Sequence, residues 1–215
     1  MNKPKPATLK KLTEALKNNM IKQVLEKLEH IQFGSLEQFK ESIGNNMKDL
    51  VNNYRIAPTE PFEVPTIYQM IRELAIHENE NPEDIDLTVD DLEAAIGGSY
   101  GIGVPCFTIY APNHEIVGFA LCHLNFGSWQ GVSLYLEDFY IRKEHRGGGL
   151  GKSVLRYLAG YAVKHNYRRL DWGCFLDNES IGMYRHLNKY GVIEQTNWSC
   201  FRLSDDKLEE FAKGA

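Results

Sequence analysis

A run of glycines between a predicted strand and a predicted amphipathic helix has the clearest chemical meaning in this sequence. Four of the five residues from 147 to 151 are glycine. Glycine lets the backbone turn freely and approach a ligand closely. The first N–H groups of the following helix have no partner inside it, and the positive end of the helix dipole strengthens their attraction for anions. Residues 147–152 are therefore predicted to bind a phosphate or pyrophosphate group.

Two common phosphate-binding patterns do not fit this run. A P-loop ending at residues 151–153 requires a glycine at position 146, where the sequence has Arg146. The dinucleotide pattern GxGxxG, started at Gly147, requires a third glycine where Lys152 stands. The run does satisfy the pattern R-x-x-G-x-G, which starts at Arg146.

The residues from Arg146 to Gly151 resemble the acetyl-CoA pyrophosphate loop of the GNAT superfamily of N-acetyltransferases. A second motif of that superfamily, a polar residue seven positions before a helical tyrosine, is matched by Asp177 and Tyr184. Within the superfamily, residues 54–212 resemble the spermidine/spermine and thialysine N-acetyltransferases. That closer resemblance rests on residues 135–140 (YLEDFY), 74–78 (LAIHE) and 116–120 (IVGFA), and on the positions of Trp129 and Trp198.

The resemblance implies an acetyl-CoA-dependent N-acetyltransferase that acts on a primary amine of a small di- or polyamine or a thialysine-like molecule. It implies Glu137 as the catalytic base, Tyr184 as the acid for the departing CoA thiolate, no metal, and a homodimer with sites near the interface. The residues implied in acetyl-CoA binding are Phe139, Tyr140, Ile141, Arg146, Gly147, Gly148, Gly149, Leu150, Gly151, Lys152, Asp177, Asn178 and Ser180. The residues implied in amine binding are His77, Glu78, Trp129, Glu137, Asp138 and Trp198.

Acetylation of an amine makes its own chemical demands. The attacking nitrogen must be neutral, and near pH 7 deprotonation of an alkylammonium with a pKa of ~10.4 costs roughly 4 kcal/mol. Strand alternation places Glu137 on one face with Tyr135, Phe139 and Ile141, so its carboxyl is predicted to be desolvated with a raised pKa, as suits a base. Asp138 is predicted on the opposite face, either as a substrate contact or as a structural carboxylate.

Three departures from the family pattern bear on the substrate. Asp177 occupies a slot that usually holds asparagine, for which the neighbouring Asn178 is the alternative. Gly191 lies seven residues after Tyr184 rather than four, which predicts a helix one turn longer. Gly127 stands where the spermidine/spermine enzymes have an aspartate, which favours thialysine-like or other small amines over polyamines.

Charge is unevenly distributed along the chain. The formal net charge is −5, with +3 in residues 1–54 and −8 in the remainder. This balance argues against nucleic-acid binding, which needs a basic face. Residues 78–93 contain eight acids and no Lys or Arg. The run is either an attractor for a polycation or a solvated loop, and Glu78 is the member expected to face the substrate.

The predicted elements form an α/β (α+β) domain. Residues 1–53 form a lysine-rich helical extension of unknown role, with helical spacing that continues to Val51, and residues 54–215 form the acetyltransferase domain. The GNAT resemblance implies a mixed, largely antiparallel central sheet flanked by helices. Strands are predicted at residues 54–56, 106–110, 116–124, 133–142, 169–175 and 198–203, with a turn at 112–115. Helices are predicted at residues 66–77, 88–97, 149–165, 178–189 and 205–213.

Location and rival functions complete the expectations. No signal peptide or membrane span is predicted. Four cysteines without a CxxC pair favour reduced core thiols and a cytoplasmic protein. The rival functions are a protein or peptide N-acetyltransferase, a non-catalytic acyl-CoA-binding regulator that works through residues 1–53, and, more distantly, a P-loop nucleotide-binding protein.

Overall fold

The computed structural model describes residues 50–51, 53–99 and 103–214. Its centre is a sheet of six strands that lie in chain order from β1 to β6. Neighbouring strands are antiparallel except for the pair β5–β6, which is parallel. The predicted mixed, largely antiparallel sheet is therefore confirmed. The strands are β1 (Leu50–Val51), β2 (Tyr54–Pro58), β3 (Cys106–Tyr110), β4 (Ile116–Gly127), β5 (Gly131–Ile141) and β6 (Leu170–Trp172).

Helices cover both faces of this sheet. Residues Val154, Leu155 and Leu158 of the third helix pack with Leu134 and Leu136 in one buried cluster. Side chains of the first helix pack with Phe119 and Cys106 in a second cluster on the other face. None of the helices in the described part of the chain is long and apolar enough to cross a membrane. The helices are α1 (Val64–His77), α2 (Val89–Ile96), α3 (Leu150–Lys164), α4 (Ile181–Arg185) and α5 (Asp205–Ala212).

Strand β5 contains a β-bulge at Glu137. Leu121 of β4 lies opposite Asp138, whereas the next residue, Cys122, lies opposite Leu136, so Glu137 has no partner across the strand pair. An extra residue in one strand reverses the alternation of side chains beyond it. Accordingly, Leu136 before the bulge and Phe139 after it pack in the same cluster. Glu137 does not share a face with Phe139 and Ile141, and that prediction was wrong.

Strands β5 and β6 pair over only a short stretch. The parallel register joins residues 134–136 to residues 170–172, and β5 continues to Ile141 without β6 beside it. The sheet therefore opens along the second half of β5. The glycine-rich turn follows the end of this free half, and α4 follows the chain that leaves β6.

Several predicted boundaries need correction. Leu50 and Val51 form a strand instead of a helix, and the rest of the predicted extension lies outside the described residues. The predicted strand at 169–175 is reduced to β6. Residues 198–203 form no strand; they are exposed, and apolar alternation alone cannot supply the neighbour that a strand requires.

The region around α4 and the cysteines also departs in part from expectation. The predicted helix at 178–189 is α4 followed by a 3₁₀ segment, His186–Tyr190, and Gly191 ends it in the left-handed conformation at φ 89°. Cys106 and Cys122 are buried thiols as predicted, but Cys174 is half-buried and Cys200 is exposed.

Candidate functional site

The glycine-rich turn has the backbone geometry of an anion site. Gly147 and Gly149 have φ values of 86° and 83°, in the left-handed region that side chains with a Cβ disfavour. Helix α3 starts at Leu150, and the space next to residues 147–149 is open for at least 4 Å around the position of an added Cβ. The first N–H groups of this 15-residue helix have no acceptor within the helix. The turn can therefore receive a phosphate group.

Arg146 fixes the start of this turn. Its Nε donates to the carbonyl of Ile141 at 2.6 Å, and its Nη1 lies 3.1 Å from Nε2 of His77. The guanidinium also lies 5.4 Å from the centre of the Tyr140 ring. Burial, followed by the charge of Arg146, lowers the pKa of His77. A neutral His77 can accept a hydrogen bond from Arg146. This contact connects the end of α1 to the start of the glycine-rich turn.

Glu137 is exposed, contrary to the prediction that it is desolvated. Its side chain is 55% accessible, and its Oε2 lies 3.2 Å from Nε2 of His123 on β4. Glu137 is the extra residue of the bulge, so its side chain does not follow the regular alternation of the strand. A sequence pattern that counts every second residue cannot detect the extra residue.

Asp138 is the desolvated carboxyl of this pair. Burial raises its pKa to about 6, and the neighbouring charges of Glu137 and Glu78 act in the same direction. Asp138 follows the bulge directly. Desolvation was predicted for Glu137 and is found at Asp138 instead.

Glu78 is the member of the acidic run that faces the same opening. It caps the C-terminal end of α1, and its Oε1 accepts a 3.4 Å hydrogen bond from Asn178 Nδ2. Burial, followed by the charge of Glu80, raises its pKa. Whether Glu78 faces the substrate, as the family resemblance implies, stays a prediction.

Other members of the acidic run make local contacts instead. Asn81 donates to Asp84 at 3.0 Å, and Arg72 pairs with Glu83. Asp91 completes the capping box that begins α2. These three acids stabilise the connection between α1 and α2, so they behave as a solvated surface segment.

Tyr184 lies on α4, across the opening from Glu78. Its ring packs 5.6 Å from that of Trp172, the last residue of β6. Burial raises the pKa of Tyr184 to about 12, with smaller contributions from Cys174 and Glu78. The neighbouring Met183 lies 3.3 Å from the position of a Cβ at Gly151, so α4 is held against the start of α3. Tyr184 is thus a neutral, protonated hydroxyl next to the glycine turn.

Asn178, rather than Asp177, is tied into this opening. Its side-chain oxygen accepts the backbone N–H of Ser180 at 2.8 Å while its amide donates to Glu78. Asp177 is exposed. Of the two alternatives for the polar slot before Tyr184, the contacts favour Asn178.

The two predicted substrate tryptophans do not join this cluster within one chain. Trp129 is 99% exposed and lies at the β4–β5 turn, the end of β5 opposite to the glycine turn. Trp198 is also exposed. The two ends of β5, Gly131 and Ile141, are ten residue steps apart, which corresponds to a span of about 33 Å. The length of the β4–β5 hairpin therefore keeps Trp129 away from the glycine turn.

Two residues near the opening were missed by the sequence analysis. His123 lies opposite Tyr135 in the β4–β5 register, and the two rings stack with centroids 4.8 Å apart. Counting back from the hairpin turn could have found this pair. Cys174 follows β6, is half-buried, and contributes to the raised pKa of Tyr184. No sequence signal indicated its position.

Comparison with known proteins gives a consistent family match. The sequence profile of the acetyltransferase (GNAT) family matches residues 68–188. Thialysine N-epsilon-acetyltransferase of Bos taurus is 28% identical over 102 residues, which are 45% of this chain and 58% of that protein. The Caenorhabditis elegans protein of the same name is 26% identical over 75% of this chain and 99% of its own length. Spermidine/spermine N(1)-acetyltransferase-like protein 1 of Homo sapiens is 27% identical over 74% of this chain but only 24% of its own length.

Solved structures share the fold. An integron cassette protein from the mobile metagenome of V. cholerae superposes with a TM-score of 0.58 at 20% identity, over 75% of this chain and 98% of that one. A predicted acetyltransferase from Clostridium acetobutylicum, solved with acetyl-CoA, gives 0.56 at 15% identity over 70% and 96% of the two chains. At these identities the likeness establishes the fold alone.

Proposed function

Because this chain belongs to the acetyltransferase (GNAT) family, we propose that it transfers the acetyl group of acetyl-CoA to a primary amine of a small di- or polyamine or a thialysine-like molecule. The observation that supports an amine substrate is the pair of carboxyls Glu78 and Asp138 at the opening of the sheet. Burial raises the pKa of both. Two acids held close together favour a bound cation, which compensates their charge. The relatives named thialysine N-epsilon-acetyltransferase and spermidine/spermine N(1)-acetyltransferase-like protein 1 support the same substrate class.

Acetyl-CoA would lie with its pyrophosphate at residues 147–152. The left-handed glycines and the open space beside them fit that group. The half of β5 from Phe139 to Ile141, beside which β6 does not pair, lies along the same path. Asn178 and Ser180 border it on the opposite side. The thioester supplies the activated acetyl group, and the residues of this chain supply orientation and proton transfer.

The proposed reaction moves one proton at each end. The substrate ammonium loses a proton to Glu137, directly or through a water, and the neutral nitrogen attacks the thioester carbonyl. The C–S bond then breaks, and the thiolate takes the Tyr184 hydroxyl proton. The nitrogen of the new amide loses its second N–H proton, which restores the Tyr184 hydroxyl. A phenol with a pKa of about 12 is a weak acid for this step. A bound ammonium offsets the negative charge of Glu78 and so makes the Tyr184 proton easier to donate.

The substrate preference is for thialysine-like or short diamines. Gly127 and Ser128, before Trp129, carry no charge with which to hold a distant second ammonium. Glu78→Gln should raise KM for a dication several-fold and more than for a monocation, and the effect should shrink with added salt. The matched control is Glu93→Gln, an exposed acid of the same run. Equal effects on both amines would contradict the assignment of selectivity to Glu78.

A substrate screen tests the function directly. Free-thiol release from acetyl-CoA is measured with thialysine, spermidine, a lysine peptide, an N-terminal peptide and no amine. Turnover with the small amines is the expected result. Turnover with peptides alone would favour a protein acetyltransferase. CoA binding without turnover on any amine would favour a non-catalytic CoA-binding regulator.

We also propose that the protein is a cytoplasmic homodimer. The segment after Gly191 is exposed almost throughout and carries large apolar side chains that a single chain leaves uncovered. Contiguous apolar surface of this kind marks an interaction site. A second copy is the occupant that the family resemblance implies. The exposed side chains of this C-terminal segment include Ile193, Trp198, Phe201, Leu203, Leu208 and Phe211.

A further inference from the structure

We propose that His123 acts with Glu137 as one proton-accepting pair, in which His123 takes over the proton that Glu137 receives from the substrate. This inference rests on the proposed amine acetylation and deepens it. Nε2 of His123 lies 3.2 Å from Oε2 of Glu137, within hydrogen-bond distance. Both side chains are partly open to water, at 40% and 55% accessible, so a proton can leave the pair for solvent.

The β4–β5 hairpin holds this pair in place. His123 lies directly opposite Tyr135, and the stacked rings, 27° from parallel, orient the imidazole. The bulge places Glu137 two residues further along β5, beside the imidazole instead of in the regular ladder. His123 therefore occupies a defined position next to the bulge.

An exposed carboxylate needs a companion to hold a proton near neutral pH. Glutamate side chains protonate in general near pH 4.3 and imidazoles near pH 6.5, and a general base works best when its pKa is close to the working pH. If Glu137 acted without a partner, a proton that it received would return easily to the amine. Transfer to the imidazole leaves a carboxylate–imidazolium pair, which is electrostatically stabilised.

The proton balance has three steps. An N–H bond of the ammonium breaks while an O–H bond forms on Glu137. That O–H bond then breaks as an N–H bond forms at Nε2 of His123, which accepts the proton in the neutral tautomer that carries its hydrogen on Nδ1. The imidazolium finally gives a proton to bulk water, and Glu137 is again ionised. No other reactant is needed.

Several titratable groups act on Tyr135, against which the imidazole stacks. Carboxylates carry negative charge near pH 7, whereas phenols and thiols are neutral in their usual state. Burial and the charge of Glu137 raise the pKa of Tyr135, which keeps its hydroxyl protonated beneath the imidazole. The titratable groups that act on Tyr135 are Glu137, Asp171 and Cys200, and Asp138 feels the charge of Glu137.

Two substitutions at His123 separate proton acceptance from simple positioning. His123→Phe keeps a ring over Tyr135 and removes both nitrogens. His123→Gln keeps an amide that can hydrogen-bond Glu137 in either protonation state but cannot take up its proton. We expect kcat at saturating substrates to fall tenfold or more in both variants, with KM for acetyl-CoA unchanged. The control is His114→Asn in the β3–β4 turn, which should keep wild-type kcat.

The pH profile and a double variant complete the test. Wild-type kcat should decline at acidic pH, where a protonated His123 cannot accept a second proton, and this decline should be absent from both His123 variants. Residues that act as a unit are not additive, so adding His123→Phe to Glu137→Gln should cost no further activity. Circular dichroism checks that each variant is folded.

Three results would overturn the inference. If His123→Gln kept the wild-type kcat, the role of His123 would be limited to orienting Glu137. An unchanged pH profile in a folded His123→Phe would remove the imidazole from the proton path. Multiplicative losses in the double variant would mean independent roles. Absence of turnover by the wild-type protein on every amine would instead defeat the proposed function itself.

Discussion

At the scale of single residues, one extra amino acid in β5 gives two adjacent carboxyls different environments. Glu137 is exposed and paired with His123, whereas Asp138 is desolvated with a pKa of about 6. The sequence indicated an acidic pair on this strand but assigned the desolvation to the wrong member, because the bulge has no signature in apolar alternation. Glu78, which the family resemblance assigned to amine binding, lies at the end of α1, and its role stays a prediction.

The pKa of Asp138 predicts how amine binding depends on pH. Above about pH 6 the carboxyl is ionised and attracts an ammonium, and below that value it is neutral. KM for the amine should therefore rise as pH falls through about 6, while KM for acetyl-CoA stays constant. Asp138→Asn should raise KM for the amine at pH 7.5 and abolish this pH dependence. Asp86→Asn, in the acidic run, is the control.

The same carboxyl should cost the protein stability above pH 6. The folded-state pKa is raised above the unfolded value of ~3.9, so ionising Asp138 is harder in the folded state. The resulting loss is absent below about pH 4 and complete above about pH 6, where it amounts to at most about 3 kcal/mol. Asp138→Asn should therefore raise Tm at pH 8 and change it little at pH 4. An equal shift at both pH values would contradict this account.

Tyr184 offers a test of proton donation to the leaving thiolate. Tyr184→Phe keeps the ring against Trp172 and removes only the hydroxyl. General acid catalysis is typically worth ~10²–10⁴ in rate, so kcat should fall on that scale with acetyl-CoA affinity nearly unchanged. A fall of less than about threefold in thiol release would indicate a packing residue.

At the scale of elements, the sheet opening and the glycine turn together make the site. Alternation and helix periodicity predicted β3, β4, β5, α1 and α3 close to their observed bounds because each element buries one face. The limits of β6 and the absence of a strand at 198–203 depend on which segments meet across the sheet, and local sequence carries no such information. The end of the helical segment before Gly191 was easier to predict. A glycine in the left-handed conformation ends a helix whatever the helix packs against.

The conformation of the turn predicts a separation of ligand binding from folding. Gly149 has φ 83°, so Gly149→Val strains the backbone at the start of α3 and narrows the approach to its N–H groups. CoA affinity measured by calorimetry should fall at least tenfold, while circular dichroism still shows a folded protein. Gly160→Ala, in the middle of α3 with open space around it, should keep CoA affinity. Unchanged CoA affinity in Gly149→Val would remove the turn from the CoA site.

At the scale of the whole molecule, the C-terminal segment is the part that one chain leaves uncovered. Phe201 is 94% exposed, and Phe211 of α5 is also exposed. A stable protein buries such side chains against something, and the proposed second copy would do so.

The proposed dimer predicts a change of mass in solution. Phe201→Asp should convert a dimer into a monomer in analytical ultracentrifugation, because a charge cannot be buried without a partner. Phe62→Asp, at a phenylalanine before α1 that is 80% exposed, should remain dimeric. A monomeric wild-type protein, or dissociation by both variants, would exclude this interface.

The two carboxyls at the opening also affect how the product leaves. Glu78 and Asp138 attract an amine through its positive charge, and acetylation converts that ammonium into a neutral amide. The affinity that brings the substrate in is therefore lost at the moment of reaction, and the acetylated nitrogen has no charge with which to rebind. A substrate with a second ammonium keeps part of the attraction, so product inhibition should be stronger for acetylated diamines than for acetylated monoamines.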